Sequence, residues 1–253
     1  SYIAGFVFGP PLAGALTVTF NLRTPFLLFG ILTAASYLSI YRLEIPAAEN
    51  SDSAEKRVLR RLLRSRQMIA ALLVVISFRY SIGVFEPLWA PHMDNLGAST
   101  MVVTLSLTGF ALPMLLIARW AGSLSDQFSP RATSLLSALA TVPLMASYGW
   151  ISSVPLLFIA AMPHGMMEAI QSPGSQAAVS DAAPLDDAAA AQGLGEAMGS
   201  AASMVGALTA APLYSWLGPG PAFLIGAATM ATLLMSSWLL DPPPLTKRHL
   251  DQS

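Results

Sequence analysis

The sequence predicts an all-α membrane protein, a polytopic bundle of about eight transmembrane helices. Three observations carry that prediction. Charged residues make up only 11% of the 253-residue chain, against roughly 25% in a soluble domain. The hydrophobic fraction is 54% and the mean hydropathy +0.59, more apolar surface than one soluble core can cover, so the surplus needs lipid as its solvent. Basic residues also gather in alternate loops between apolar runs, as a chain threaded through a membrane requires. Net charge is −1 and cysteine is absent. No global positive field points to a nucleic-acid partner, and neither a disulfide framework nor thiolate chemistry is available.

Crossing an apolar core of about 30 Å takes about 20 helical residues. Runs of that kind cover 2–20, 25–42, 68–90, 100–120, 132–151, 154–173, 188–215 and 220–240. The first run begins at residue 1 without a basic leader or a start Met, so the expectation is of a chain truncated inside a span. Pro113, Pro143, Pro163, Pro173 and Pro212 fall within or near runs and mark expected kinks, tolerated where neighbouring helices satisfy the freed carbonyls. Trp89, Trp150, Trp216, Trp238 and Tyr214 lie near run ends, where an interfacial aromatic belt is expected.

Arg42, Lys56, Arg57, Arg60, Arg61, Arg64 and Arg66 fill the long loop after the second run, Arg119 and Arg131 flank a later turn, and Lys247 and Arg248 lie in the tail. With alternating spans these share one side, leaving Arg23 on the other, and the positive-inside rule makes the basic side cytoplasmic. Asp181, Asp186 and Asp187 put an acidic loop on that side too. Within the basic loop VLRRLL at 58–63 allows a short amphipathic surface helix on Val58, Leu59, Leu62 and Leu63, but a solvated linker is the preferred reading.

Two motifs stand out. GFVFGPPLAG at 5–14 repeats Gly5, Gly9 and Gly14 around Pro10 and Pro11, a small-residue face for close helix approach with a bend. GSLSDQFSPR at 122–131 sets Gly122, Asp126 and Arg131 in a turn between two spans. Gly122 would make the turn tight, and Asp126 can accept from a helix N-terminus or pair with Arg131.

Together these stretches resemble the major facilitator superfamily. The first is similar to the antiporter motif G-x-x-x-G-P-x-x-G-G, with Ala13 replacing one Gly, and the second to a degenerate signature loop, with Gln127 and Ser129 at two motif positions. GPP at 9–11, TPFL at 24–27, SIGVFEPLW at 81–89 and GMMEAIQSPGSQAAVSD at 165–181 narrow the resemblance to drug:proton antiporters and vesicular amine transporters. The resemblance implies a bundle of about twelve helices in two halves, with this chain matching helices five to twelve. Residues 1–42 would be the last two helices of the first half, 43–66 a basic cytoplasmic linker, 67–240 the second half, and 241–253 a cytoplasmic tail. The preceding helices of the same chain would be missing partners.

Ionisable residues at membrane depth are costly unless paired or hydrated, and are functional candidates for that reason. Arg79, Glu86, Glu168 and Glu196 are the strong ones, with His164 a fifth. At 1.5 Å per residue Arg79 lies about 15 Å from the cytoplasmic edge, Glu86 about 25 Å, and Glu168 and Glu196 each about 10 Å. Arg79, Glu168 and Glu196 can therefore share a layer, with Glu86 apart. Arg79 and Glu86 face the same way on one helix but lie about 10.5 Å apart along it, so Arg79 is better placed for a carboxylate on another helix.

Burial and a second nearby carboxylate make a carboxyl group hold its proton more tightly, so Glu168 and Glu196 read as proton-coupling groups assisted by Arg79, or as structural partners of Arg79. The resemblance implies acidic side chains tied to proton exchange and substrate recognition at Glu86, Glu168 and Glu196. Glu86 precedes Pro87 among Phe78, Tyr80, Phe85 and Trp89, a carboxylate with aromatic faces suited to a lipophilic cation. Phe85, Trp89, His164 and Gln171 join it as candidate substrate-binding residues. His164 and Glu168, one turn apart, are expected to hydrogen-bond. With His92 and His249 in loop-like segments, no metal site is expected. Gly195, Gly199 and Ser203 make a packing stripe, and Met166, Met167, Met198 and Met204 can line an adaptable cavity or fill a core.

The expected protein is a secondary transporter of the bacterial inner membrane with small-molecule and proton partners. It uses no cofactor, no phosphate loop and no enzymatic chemistry, and its expected activity is proton-driven export of lipophilic or cationic compounds. A facilitator of a sugar or organic acid, and a non-transporting sensor or scaffold, are the alternatives.

Overall fold

The computed structural model of the protein describes residues 2–40 and 52–244. Helices form over all eight apolar runs: α1 (Tyr2–Thr19), α2 (Arg23–Ile40), α4 (Arg66–Asn95), α5 (Thr100–Gln127), α6 (Pro130–Ser147), α7 (Val154–Asp181), α8 (Ala188–Leu217) and α9 (Pro219–Leu240). A further helix, α3 (Asp52–Leu62), precedes α4, and short 3-10 turns occupy Tyr148–Trp150 and Leu185–Asp187. The helices run on through the expected kink residues Pro113, Pro143, Pro163, Pro173 and Pro212.

By length and composition α4, α5 and α9 stand out as able to cross a membrane. α7 and α8 are as long but dilute their apolar residues with His164, Glu168, Gln171, Gly195 and Gly199. Such interior helices trade hydropathy for close packing and a polar lining.

α4 is the axis of the bundle. It packs against α8, α9, α7, α6 and α5, while α5 and α6 pack on α7, and α1 on α5 and α2. Ser65 starts it, its side chain accepting from the Met68 N–H at 3.3 Å, which satisfies one of the orphan donors at a helix start. Within lipid, helices gain nothing by burying leucine against one another, so small residues and hydroxyls bind them. Ser237 donates to the Ala70 carbonyl at 2.7 Å and Ser77 to that of Met230 at 3.2 Å, tying α4 to α9. Ser134 donates to the Gln171 carbonyl and Thr108 to that of Val7.

Three expectations are corrected here. Residues 52–62 of the presumed linker are helical, and the apolar face is turned inward: Leu62 is buried with Met68, Leu72, Val179 and Ala191. Leu63 lies past the helix end and is exposed. Arg61 pairs with the buried Asp187 of the acidic loop, which converts that loop from an anomaly of charge bias into an anchor for α3. Trp89 does not join an interfacial belt. It is buried in the core beside Tyr148 and Phe85 and donates to Ser106 at 2.8 Å, whereas Trp150, Trp216 and Trp238 are exposed. His92 is buried in the last turn of α4 rather than in a loop. Lys247, Arg248 and His249, like Arg42, lie outside the described residues.

Candidate functional site

A cavity of about 310 Å³ opens between α4, α5 and α7. α4 contributes Phe78, Arg79, Ile82, Phe85 and Glu86, one helical stripe. α5 adds Phe110 and Met114, four apart, and α7 adds Glu168, Ser172 and Gln176, again at fours. Each helix thus offers one face, as a 3.6-residue repeat requires. Two carboxylates, an arginine and three phenylalanines line a space large enough for a small organic molecule.

Glu86 and Glu168 share this cavity, so the separate layer expected for Glu86 does not keep the two carboxylates from lining one space. Glu196 does not line it. It projects from α8 and accepts from Arg79 at 2.6 Å, both side chains being half-exposed. Arg79 spans two spaces: the cavity on one side and a narrow cleft with Glu196, Gln192 and Gln176 on the other. Gly199 makes this possible, because a Cβ there would come within 2.8 Å of the Arg79 Cγ. The Gly195–Gly199–Ser203 stripe does face α4, and a Cβ on Gly83 would sit 2.1 Å from the Ser203 carbonyl oxygen.

Of the remaining candidates, Phe85 lines the cavity, while Trp89, His164 and Gln171 are fully buried behind its wall. The His164 Nε2 lies 3.4 Å from the Glu168 Oε1, too long for a good hydrogen bond, and makes none. Its Nδ1 is 2.8 Å from the Tyr148 hydroxyl. Both amide atoms of Gln171 are buried without a hydrogen bond to any described residue. The cavity's methionine is Met114; Met166, Met167, Met198 and Met204 are not on its wall.

The conformational motifs are placed as follows. Gly14 packs against Thr104 of α5, while a Cβ on Gly5 or Gly9 would meet nothing within 4 Å. Pro10 lies within α1. Gly122 makes no tight turn, because α5 continues through it to Gln127. Arg131 is buried and donates to the Asp241 carboxylate at 2.6 Å, to its carbonyl at 2.9 Å and to the Gln67 carbonyl at 3.4 Å. The side chain of Asp126 lies outside the described residues.

Sequence reasoning missed Ser172, Gln176 and Tyr148. The first two were within reach, at four and eight residues from Glu168. Tyr148 meets His164 only because α6 and α7 fold back on one another, and no spacing signals that.

A bundle of apolar helices around a charged, aromatic cavity defines a membrane-embedded small-molecule carrier. A family model described as Major Facilitator Superfamily matches residues 71–253, from the second turn of α4 onward. The chain belongs to that superfamily of secondary transporters, and it is an integral membrane protein. No individually curated protein matches it.

Proposed function

We propose that the protein is a proton-coupled antiporter that exports lipophilic cations across a bacterial inner membrane, with residues 43–66 and the C-terminus cytoplasmic. One observation carries this reading. Arg79 is committed to Glu196 at 2.6 Å, while Glu86 and Glu168 face a cavity walled by Phe78, Phe85 and Phe110. Inside low-dielectric walls two carboxylates favour a cation or protons, and aromatic faces add cation–π attraction. A proton on Glu168 and a cationic substrate would then compete for the same negative charge, which is the minimum an exchanger needs. Arg79 serves the ionised state of Glu196, and Glu86 holds the substrate's positive end. Basic residues on α3 and in the 56–66 segment support the cytoplasmic assignment of that side. In this reading α1 and α2 belong to the opposite half of the carrier, against which α4–α9 rock.

Everted membrane vesicles loaded with an acid-quenched dye test it. Adding a lipophilic amine should release protons from energised vesicles carrying the protein. Glu168→Gln should abolish that release, and Glu86→Gln should weaken apparent cation affinity by about tenfold. Undiminished release by Glu168→Gln, or equal transport of a neutral sugar, would sink the reading.

A further inference from the structure

Tyr148 and His164 have no place in the exchange just described, yet both are completely buried and point at it. The His164 ring stacks on that of Tyr148 and meets Phe85 and Phe110 edge-on, so it cannot turn freely. The Tyr148 hydroxyl lies 2.8 Å from Nδ1, and its one other neighbour in reach is the Ala160 carbonyl at 3.5 Å. Behind it, the His92 Nε2 lies 3.0 Å from the Tyr148 carbonyl oxygen, and the Tyr214 hydroxyl lies 3.2 Å from the His92 Nδ1. The tyrosine is therefore anchored at both ends.

These contacts select a tautomer. If Nδ1 carried the proton, Tyr148 would have only the long Ala160 contact for its own hydrogen. A neutral ring would then also turn its Nε2 lone pair toward a carboxylate. With Tyr148 donating to Nδ1, the proton sits on Nε2, and that N–H faces Glu168. The 3.4 Å gap between Nε2 and Oε1 is about half an ångström longer than a formed bond. Nε2 has no other partner among the described residues.

We propose that Tyr148 and His164 are positioning residues for Glu168: they hold a neutral imidazole whose Nε2–H closes on the carboxylate when Glu168 gives up its proton, and lets go when the proton returns. The proton itself leaves Glu168 by the cavity side, and none passes along the pair. Among the described residues the other ionisable groups near this site are Glu86 and Arg79 on α4, with Glu196 of α8 held on Arg79; α5 contributes only Phe110 and Met114 to the cavity wall. No second donor from the protein hydrogen-bonds Glu168 among the described residues. The device gives the ionised carboxylate a donor without placing a permanent positive charge beside the site, where it would repel a cation.

This inference rests on Glu168 being the coupling group, and the experiment separates the two. The complete protein is reconstituted in proteoliposomes, and amine-driven proton exchange is followed as a function of pH. The wild type, Tyr148→Phe, His164→Leu, His164→Gln, and each change combined with Glu168→Gln are compared. Tyr148→Phe and His164→Leu should move the midpoint of the pH profile upward by about one to two units, the size of one hydrogen bond to a charged group. Amine affinity should change less than twofold. His164→Gln, which keeps an N–H, should restore the midpoint at least in part. An unmoved midpoint in properly inserted Tyr148→Phe protein would overturn the proposal, as would an equal loss of affinity and rate without a pH shift. If Glu168→Gln exchanges protons normally, the coupling reading falls first. If Glu168→Gln stops exchange but the tyrosine and histidine variants keep the wild-type profile, only the present inference falls.

Discussion

Gly83 marks one of the closest helix approaches in the bundle. An added Cβ would stand 2.1 Å from the Ser203 carbonyl oxygen and 2.8 Å from its Cα. Backbone cannot swing aside as a side chain can. Gly206 answers from the other helix, where a Cβ would come within 2.8 Å of the Tyr80 carbonyl oxygen. Gly83→Ala should therefore push α4 from α8 and destabilise the protein by about 1–3 kcal/mol, read as a lower melting temperature in detergent. The same shift would pull Arg79 from Glu196, so proton coupling should weaken beyond the stability loss. An unaltered melting temperature would mean that the two helices do not cross this closely. Part of this was legible in the sequence: the α8 stripe is a run of small residues at helical spacing, and Arg79 and Glu86 at seven apart had to share a face. Gly83 itself was not legible, since one glycine in an apolar helix carries no mark of what lies opposite. That Glu86 and Glu168 line one cavity was not legible either, because counting residues along each axis does not say which helix faces meet.

At the scale of the helix, charges fasten ends rather than faces. Arg131 at the start of α6 reaches the end of α9 through Asp241 and the start of α4 through the Gln67 carbonyl. Arg61 of α3 pairs with Asp187, the residue before α8. All these termini fall on the side that the proposed orientation makes cytoplasmic. Arg131 is the more buried anchor, its side chain 8% exposed, so its loss strands a carboxylate and two carbonyls. Arg131→Ala should cost about 2 kcal/mol, measured by thermal unfolding in detergent. Asp241→Asn should cost less, because the amide still accepts and the Asp241 carbonyl contact survives. If the two substitutions cost the same, the backbone contacts contribute nothing. Helix positions were readable from apolar length, since lipid demands about 20 residues per crossing. The acidic partners of Arg131 and Arg61 were not, because each lies more than a hundred residues away. Nor was the helical state of 52–62 favoured, since its charge density suits a solvated linker until Leu62 is given a pocket among Leu72, Val179 and Ala191.

For the molecule as a whole, the informative joint is between α1 and α5. α1 lies before the segment that matches the superfamily, and it docks on α5 at Gly14, where a Cβ would come 3.0 Å from the Thr104 Cβ. The Thr108 hydroxyl also donates to the Val7 carbonyl at 3.1 Å, so the contact extends over two turns. A disulfide usually needs Cβ atoms about 3.5–4.5 Å apart, which a slight parting of the helices supplies. The chain contains no cysteine, so Gly14→Cys with Thr104→Cys gives an otherwise thiol-free background. Oxidation should join the pair, detected as a mobility change on a denaturing gel that a reductant reverses. If transport requires the two sides of this joint to slide or part, as a rocking carrier does, the oxidised protein should lose most amine-driven proton release and recover it on reduction. The single-cysteine variants should be indifferent to oxidant. Failure of the crosslink would remove α1 from this position. A crosslink that forms while exchange continues at full rate would mean that α1 and α5 move as one body, placing the moving boundary elsewhere in the bundle.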